Sequence, residues 1–246
     1  MRRLIRIDCP PTLNVILQRR QTKVDSGSAI KGEWNSFRKL QAYRDLRAVL
    51  EEALGWRRRC AYCSDSLGAD VEHFWPKEKF PGRAFKFENL CLICTPCNRK
   101  KTDRFPVDAE GQPALIDPFF DDPWDSVFFS HTTGWISARV TGIDPNGNPI
   151  HAQKGVATLD VLGDLINAQP VASSRRRSWG ALVERFHELV TGSRQATSLQ
   201  EAFGDIDDYG LAEWLIYREG KEAPEVSALR SSYPANWLAI RELPRT

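Results

Sequence analysis

The stretch "CAYCSDSLGADVEHFWPKEKFPGRAFKFENLCLICTPCNRKK", residues 60–101, decides the fold of this protein. It opens with Cys60 and Cys63 and reaches Cys94 and Cys97 after 30 intervening residues. Two Cys-x2-Cys knuckles of this kind can bind one zinc ion through four thiolates in a tetrahedral arrangement. Because a four-thiolate site leaves no open position on the ion, the spacing predicts a structural zinc centre rather than a catalytic one.

Two further cysteines stand outside this pattern. Cys91 alternates with Leu90 and Leu92 and has no partner at knuckle spacing, so we predict that it is a packed apolar residue. Cys9 stands alone near the start of the chain. Six cysteines in an intracellular chain argue against a disulfide framework, and their clustering favours metal binding.

The composition is that of a globular protein. The 246 residues are 41% hydrophobic and 27% charged, which provides for a core and for a soluble surface. No stretch approaches the roughly 20 apolar residues that cross a bilayer. The opening "MRRLIRIDCPP" reaches Cys-Pro-Pro too soon for the apolar region of a signal peptide. We therefore expect a cytoplasmic protein with no membrane partner.

Positive charge is concentrated around the cysteines. The formal net charge of the whole chain is only +2, but residues 57–104 hold eleven Lys and Arg against six Asp and Glu. A local basic surface is the electrostatic footprint of nucleic-acid binding. Charge alone is equally consistent with a solvated basic face, so the surrounding residues have to decide.

Short elements surround the cysteines. Apolar residues recur at intervals of three and four from Trp34 to Leu54, which predicts one amphipathic helix ending at Gly55. The runs "VEHFW" and "AFKFENLCLIC" suit a short hairpin. "TPCNRKKTD" predicts a helix start, with Thr95 as the N-cap and Pro96 in the first helical position.

Four regions follow from these patterns. Residues 1–55 form an N-terminal helical region and residues 56–106 a compact core. Residues 107–154 are an irregular, strand-like connection with dense turn signals. Residues 155–246 are a C-terminal helical region, with helices over "GVATLDVLGDLI" and "SSRRRSWGALVERFHELV" and one more within "LQEAFGDIDDYGLAEWLIYREG".

The core resembles the HNH endonucleases, whose centre is two strands, a helix and one divalent metal ion. The resemblance rests on Glu72 and His73 in "VEHFWPK", Asn89 in "ENLCLIC" and Asn98 in "CTPCNRKK", which occur in the family's order. It implies an α+β fold: a ββα-metal core braced by the four-cysteine zinc site and embedded in mostly helical flanks. Glu72 departs from the family, which usually has Asp or His there, and Asn98 stands where many members have His.

The chemistry of phosphodiester hydrolysis explains these residue types. A neutral His73 can take the proton of the attacking water. Glu72 and Asn98 offer the hard oxygens that Mg²⁺ or Mn²⁺ prefers, while phosphate and water complete the shell. We expect Glu72 and His73 to serve one site from the kinked end of a strand. The resemblance implies that Asn89 ties the neighbouring loop to that strand and orients the imidazole.

Basic residues near the motif are candidate contacts to the DNA backbone. Lysines on the first turns after Asn98 can reach phosphates, and an arginine run abuts the first knuckle. The solvated-face interpretation stays open for each of them. The candidates are Arg57, Arg58, Arg59, Lys77, Lys100 and Lys101.

The flanks resemble bacterial HNH nucleases of anti-phage defence. "CAYC", "VEHFWPK", "FENL", "CNRKK", "LIDPF" and the later "TLDVLGDLIN" are similar to the nuclease subunits of Septu and retron-type systems. That resemblance implies an ATPase partner. From the core and its flanks we predict a metal-dependent HNH endonuclease that hydrolyses DNA. The alternative hypotheses are a non-catalytic zinc-braced nucleic-acid-binding module and an inactive HNH scaffold that serves as an interaction subunit.

Overall fold

A computed structural model describes residues 1–245. Helices predominate, and the strands occur as three separate antiparallel pairs. The helices are α1 (Pro11–Asp25), α2 (Ile30–Phe37), α3 (Gln41–Ala53), α4 (Thr95–Lys101), α5 (Gln153–Ile166), α6 (Gln169–Val190), α7 (Leu199–Phe203), α8 (Leu211–Tyr217), α9 (Pro224–Ser232) and α10 (Pro234–Arg241). The strands are β1 (Asp70–His73), β2 (Leu90–Ile93), β3 (Val127–Phe129), β4 (Ile136–Ala138), β5 (Val140–Ile143) and β6 (Pro149–His151).

The compact core has two strands followed by a helix. β1 pairs antiparallel with β2, Glu72 opposite Cys91 and His73 opposite Leu90. All four residues of β2 are buried, because α3 packs on β2 and α4 packs on β1. The predicted α+β class and the ββα order of the core are confirmed.

The N-terminal region differs from the single helix expected between Trp34 and Leu54. The chain breaks at Arg38–Leu40, where Leu40 is extended and partly exposed, and so α2 and α3 are separate helices. The break allows α2 to pack on α1 while α3 packs on β2. Periodicity alone did not locate it, because no Gly or Pro marks the turn. α1 lies within the region expected to be helical, but no sequence pattern gave its bounds.

The end of α3 and the start of α4 lie near their expected places. Gly55 follows α3 with φ +74°, a conformation that glycine adopts without strain. α4 begins one residue earlier than expected. Cys94 rather than Thr95 is its N-cap, and Thr95 rather than Pro96 is the first helical residue. The cap itself therefore belongs to the second knuckle.

The later regions are more broken than expected. Residues 107–154 carry four short strands, of which β5 and β6 form an exposed hairpin around an Asp-Pro-Asn-Gly turn. The one helix expected over residues 199–220 is two, α7 and α8. Gly210, with φ +73°, stands before α8 in a left-handed conformation that a continuous helix would not allow.

One continuous apolar core joins these regions. It runs from Leu13 and Leu17 of α1 through the hairpin to Phe186 of α6 and Trp214 of α8. No helix among residues 1–245 is long and apolar enough to cross a bilayer. The domain boundaries stay a prediction.

Candidate active site and metal centre

The four knuckle cysteines converge on one point. Their sulfur atoms all lie within 4.8 Å of one another, and Cys63 Sγ is 3.8 Å from Cys94 Sγ. A zinc ion with bonds of about 2.3 Å to four thiolates holds sulfurs roughly 3.8 Å apart. The donor set and spacing thus fit a tetrahedral metal centre built by Cys60, Cys63, Cys94 and Cys97.

Backbone hydrogen bonds fix the first knuckle. Cys60 donates its N–H to Ser66 O at 2.8 Å, and Ser64 donates to Cys60 O at 3.0 Å. Ala61 donates to Leu92 O at 3.2 Å, which ties the knuckle to β2. The second knuckle follows directly on β2 and leads into α4. Both knuckles are therefore anchored to the same hairpin.

Cys91 takes no part in this centre. Its side chain is buried on β2, and burial raises the pKa of its thiol to about 12. The prediction of a packed apolar residue is confirmed. Within the cluster, by contrast, hydrogen bonds with Cys60, Cys94 and Cys97 lower the pKa of the Cys63 thiol.

His73 ends β1, and within residues 1–245 its imidazole makes one hydrogen bond. Its Nε2 lies 2.9 Å from Ala84 O. A carbonyl oxygen only accepts, so Nε2 carries the hydrogen and the lone pair of a neutral ring is on Nδ1. Burial, together with the positive charges of Lys77 and Lys101, lowers the pKa of His73 to about 3. At neutral pH the imidazole is a hydrogen acceptor at Nδ1.

Asn89 closes the loop that orients this imidazole. Its Oδ1 accepts from Trp75 N–H at 2.7 Å, and its Nδ2 donates to Trp75 O and to Arg83 O at 3.0 and 2.9 Å. Arg83 directly precedes Ala84, the partner of His73. The side chain of Asn89 is buried, and it links β2 to both ends of the intervening loop.

The N-terminal region covers His73. The ring of Trp34 in α2 lies edge-on at 4.4 Å between centroids, and the whole histidine is only 5% exposed. Phe85 also packs on Trp34, with 5.3 Å between the ring centroids. The imidazole is therefore almost closed off from solvent.

Glu72 contacts a different element, which corrects the expected kinked strand end. β1 stays paired through His73, so neighbouring side chains leave it in opposite directions. Lys101 of α4 donates to Glu72 Oε1 at 2.6 Å and to His73 O at 3.0 Å. Burial raises the pKa of Glu72, and Lys101 partly offsets the effect.

Lys101 is therefore not a surface residue, and its expected contact with a DNA phosphate is wrong. Its side chain is 0% exposed, because α4 turns it inward onto Glu72. The residue instead supplies a buried positive charge beside a carboxylate that was expected to bind Mg²⁺. The sequence pattern did not reveal this direction.

Asn98 has a partner that the sequence did not single out. Its Nδ2 donates to Asp70 Oδ2 at 3.2 Å. Asp70 and Glu72 are two residues apart on β1, so their side chains share the face that packs against α4. Side chains two residues apart on a strand share a face, so the position of Asp70 before Glu72 could have predicted that both face α4. Within residues 1–245, Asn98 Oδ1 accepts no hydrogen bond.

The other basic candidates are paired with acids. Each ion pair keeps a positive group near the surface while satisfying much of its charge. The pairs are Arg57 with Asp208 at 2.7 Å, Arg58 with Glu51 at 2.9 Å, Arg59 with Asp208 at 3.3 Å, Lys77 with Glu78 at 2.9 Å and Lys100 with Asp164 at 2.6 Å.

Two exposed arginines near the motif were missed. Arg99 follows Asn98 on α4 and has no acidic partner within the described residues. Arg83 lies over the ring of Trp75, with 4.4 Å from its guanidinium carbon to the ring centroid. Both belong to the basic cluster counted in the sequence. Within the described residues they form no ion pair, which distinguishes them from the paired candidates.

Comparison with known proteins gives a family match for this segment and a similar protein. Residues 60–104 match the HNH endonuclease family. Septu protein PtuB of Bacillus thuringiensis is 34% identical over 70 residues, which is 26% of this chain and 26% of that protein. The chain thus matches about a quarter of the length of this relative. The segment that matches the family contains the four knuckle cysteines, Glu72, His73, Asn89 and Asn98.

Proposed function

We propose that this protein is a metal-dependent endonuclease that hydrolyses phosphodiester bonds of DNA. The observation that carries the proposal is the state of His73. Its Nε2–H is committed to Ala84 O, which leaves Nδ1 as a proton acceptor inside a segment that matches the HNH endonucleases. A neutral, oriented imidazole is what activation of a water molecule requires.

His73 acts as the general base in this proposal. Nδ1 takes a proton from the water that attacks phosphorus, and the bond to Ala84 O stabilises the imidazolium that forms. Asn89 is a positioning residue, because it fixes Trp75, two residues after His73, and Arg83, the residue before Ala84. Removing a positioned base costs roughly 10²- to 10⁴-fold in rate.

The oxygen donors on the side of β1 that faces α4 suit a hard cation. Glu72 and Asn98 would hold Mg²⁺ or Mn²⁺, which supplies charge for the phosphate and for the leaving oxygen. Asp70 holds the amide of Asn98 through Nδ2, so that Oδ1 is the atom left to bind. Glu72 would contact both this ion and Lys101, since Lys101 donates to its Oε1.

The four-cysteine centre holds Zn²⁺ in this proposal and has a structural role. The sulfur spacing and the absence of an open ligand position support it. Because Asn98 directly follows Cys97 on α4, the centre fixes the place of the candidate metal ligand. Arg99, Arg83 and Lys100 are the exposed or half-exposed cations that would contact phosphates.

We further propose a role in bacterial anti-phage defence together with an ATPase partner. Two findings support it: the resemblance of the flanking motifs, and the partial similarity to a Septu protein. Co-purification of the full chain with an ATPase from its own host cells tests the partnership. A partner that alters the cleavage rate would support regulation by that subunit.

A second function, that of a non-catalytic zinc-braced module, is favoured by one observation. Glu72 is paired with a fully buried lysine, and His73 points to another element, so the two do not meet at one site. A binding module would keep its nucleic-acid affinity when either residue is replaced. An enzyme would keep the affinity and lose the cleavage.

Plasmid cleavage by purified protein with Mg²⁺ or Mn²⁺ separates the two functions. The matched variant is His73→Gln, whose amide can still donate to Ala84 O but offers no basic nitrogen. We expect the wild type to cut and H73Q to fall by at least about 100-fold, with zinc content unchanged. Equal cutting by both proteins would reject His73 as the base. No cutting at all, also with the ATPase partner present, would favour the binding module.

A further inference from the structure

An arginine deep in the C-terminal region has no carboxylate partner. Arg175 of α6 is 0% exposed. Its two terminal nitrogens donate to the backbone oxygens of Gly134 and Ile166, the latter at 2.8 Å. Within residues 1–245, its Nε has no hydrogen-bond partner, and no acidic side chain forms an ion pair with the guanidinium.

This arrangement leaves a positive charge unbalanced in the core. Carbonyl oxygens satisfy the hydrogens of a guanidinium but carry only partial charge. Moving an ion from water into a protein interior costs several kcal/mol unless an opposite charge repays it. Burial lowers the pKa of Arg175 to about 10, so the side chain is still charged at neutral pH.

The first knuckle lies next to this charge. The guanidinium carbon is 5.4 Å from the ring centroid of Tyr209, whose hydroxyl donates to Asp65 Oδ1 at 2.9 Å. Asp65 is two residues after Cys63. Tyr209, Cys63 and Asp65 are the groups that act against the lowering of the pKa of Arg175. A path of one aromatic ring therefore separates the guanidinium from the knuckle.

A loaded centre would supply the missing negative charge. One Zn²⁺ with four thiolates has a net charge of −2, and all four cysteines are buried. Opposite charges in an interior attract across several ångströms more strongly than they do in water. Neither the motif nor the spacing of the cysteines assigns a counter-charge to this centre.

We propose that Arg175 is the buried counter-charge of the four-thiolate zinc centre. The proposal rests on the zinc site described above and not on nuclease activity. It makes α6 part of the metal site, although α6 lies more than 70 residues beyond the last knuckle. Zinc binding and the docking of the C-terminal helices are then energetically coupled.

The competing explanation is that Arg175 only ties backbone together. Its bond to Ile166 O satisfies the carboxyl end of α5, and its bond to Gly134 O fixes the turn before β4. That role depends on the forked shape of arginine and not on its charge. Arg175→Lys and Arg175→Met both lose the fork, and only the methionine variant loses the charge.

Zinc affinity of the full chain, measured by competition with a chelator, tests the proposal. We expect Arg175→Lys to stay within about threefold of the wild type and Arg175→Met to bind at least about tenfold more weakly, the effect of losing a buried charge interaction. Equal weakening in both variants, or none in either, would overturn the proposal. A wild type without zinc would overturn it too and would leave the nuclease activity a separate question.

Thermal unfolding with and without zinc provides a second measurement in case a variant folds poorly. We expect Arg175→Met to be destabilised relative to Arg175→Lys when zinc is bound. After zinc is removed, Arg175→Met should be as stable as Arg175→Lys or more stable. The lysine variant then still buries an unpaired charge, and the methionine variant does not. The same difference between the two variants in both states would assign Arg175 a purely structural role.

Discussion

The imidazole of His73 combines near-complete burial with a single hydrogen bond, from Nε2 to the carbonyl oxygen of Ala84. Burial favours the neutral ring, and the carbonyl selects the tautomer with its lone pair on Nδ1. Burial and one hydrogen bond therefore define the charge of the candidate base and the nitrogen that carries its lone pair. The sequence predicted the residue and its role, but not the carbonyl that selects the tautomer, because Ala84 lies eleven positions away.

The pH dependence of stability follows from this burial. The pKa of His73 is lowered from 6.5 to about 3 in the folded protein, so the unfolded chain binds a proton first as the pH falls below about 6.5. Its contribution to stability is present above that pH and is lost as the pH falls towards 3. Between pH 7 and pH 5 the loss is about 2 kcal/mol.

Urea unfolding of the wild type and of His73→Gln at both pH values checks this prediction. Protonation of the other groups is common to both proteins and cancels in the difference. The free energy of unfolding should fall by about 2 kcal/mol more in the wild type than in H73Q. Equal losses would mean that His73 is not held neutral by burial.

The ion pair between Lys101 and Glu72 leads to a second prediction. Breaking a buried pair by removing one partner costs roughly 3–5 kcal/mol, since the other charge stays buried and alone. Lys101→Met should therefore lower the free energy of unfolding by about that amount. Adding Glu72→Gln should restore much of the loss, because no unpaired charge is left.

A double-mutant cycle by chemical denaturation measures this coupling. Additive effects of the two substitutions would show that Lys101 and Glu72 do not depend on each other. The sequence predicted Glu72 as part of the site but misjudged Lys101. A run of basic residues looks the same whether its members face water or the core, and only the packing of α4 on β1 decides which one turns inward.

At the scale of elements, α5 shows how a helix is fitted against its neighbours. Gly155 faces the backbone of Ser126, and a Cβ there would lie 2.0 Å from Ser126 O. Gly163, two turns later on the same helix, would place its Cβ no closer than 3.6 Å to Leu159. The first glycine is required by a close approach, and the second is not.

These two glycines form a matched pair of substitutions. Gly155→Ala should destabilise the protein by roughly 1–3 kcal/mol through overpacking, although alanine is the better helix former. Gly163→Ala should be neutral or stabilising by up to about 1 kcal/mol. Melting temperatures of the two variants check the prediction. A stable G155A would mean that α5 does not pack against the turn at Ser126.

The predictability of the elements varied along the chain for a physical reason. α5, α6 and the ββα core were anticipated, because a helical period or a hairpin pattern is local information. The break between α2 and α3 was missed, since it is set by two different packing partners rather than by a turn residue. The split of α7 from α8 could have been read from Gly204 and Gly210.

At the scale of the whole molecule, the metal centre connects distant parts of the chain. The knuckles hold β1, β2 and α4 together, and Asp65 of the first knuckle contacts Tyr209 in the C-terminal region. The sequence predicted the four ligands from their spacing. It did not predict the cover formed by Trp34 over His73 or the approach of Arg175, because both depend on contacts between regions far apart in sequence.

Loss of zinc should therefore destabilise the entire protein. Cys97→Ser should lower the zinc content well below the roughly one ion per chain that a four-thiolate site binds, and it should lower the melting temperature. Cys9→Ser is the control, because Cys9 lies outside the cluster. Elemental analysis with calorimetry measures both quantities. A zinc content that falls equally in the two variants would contradict the assignment of the centre.

Chemical rescue of His73→Ala by imidazole tests most directly whether His73 is the general base. Single-turnover cleavage of an end-labelled DNA duplex with Mn²⁺ would be measured for the wild type and for His73→Ala, with and without added imidazole. We expect cutting by the wild type, a loss of at least about 100-fold in the variant, and partial recovery with imidazole that grows with its unprotonated fraction. A variant that cuts as fast as the wild type without imidazole would contradict the assignment of His73 as the base.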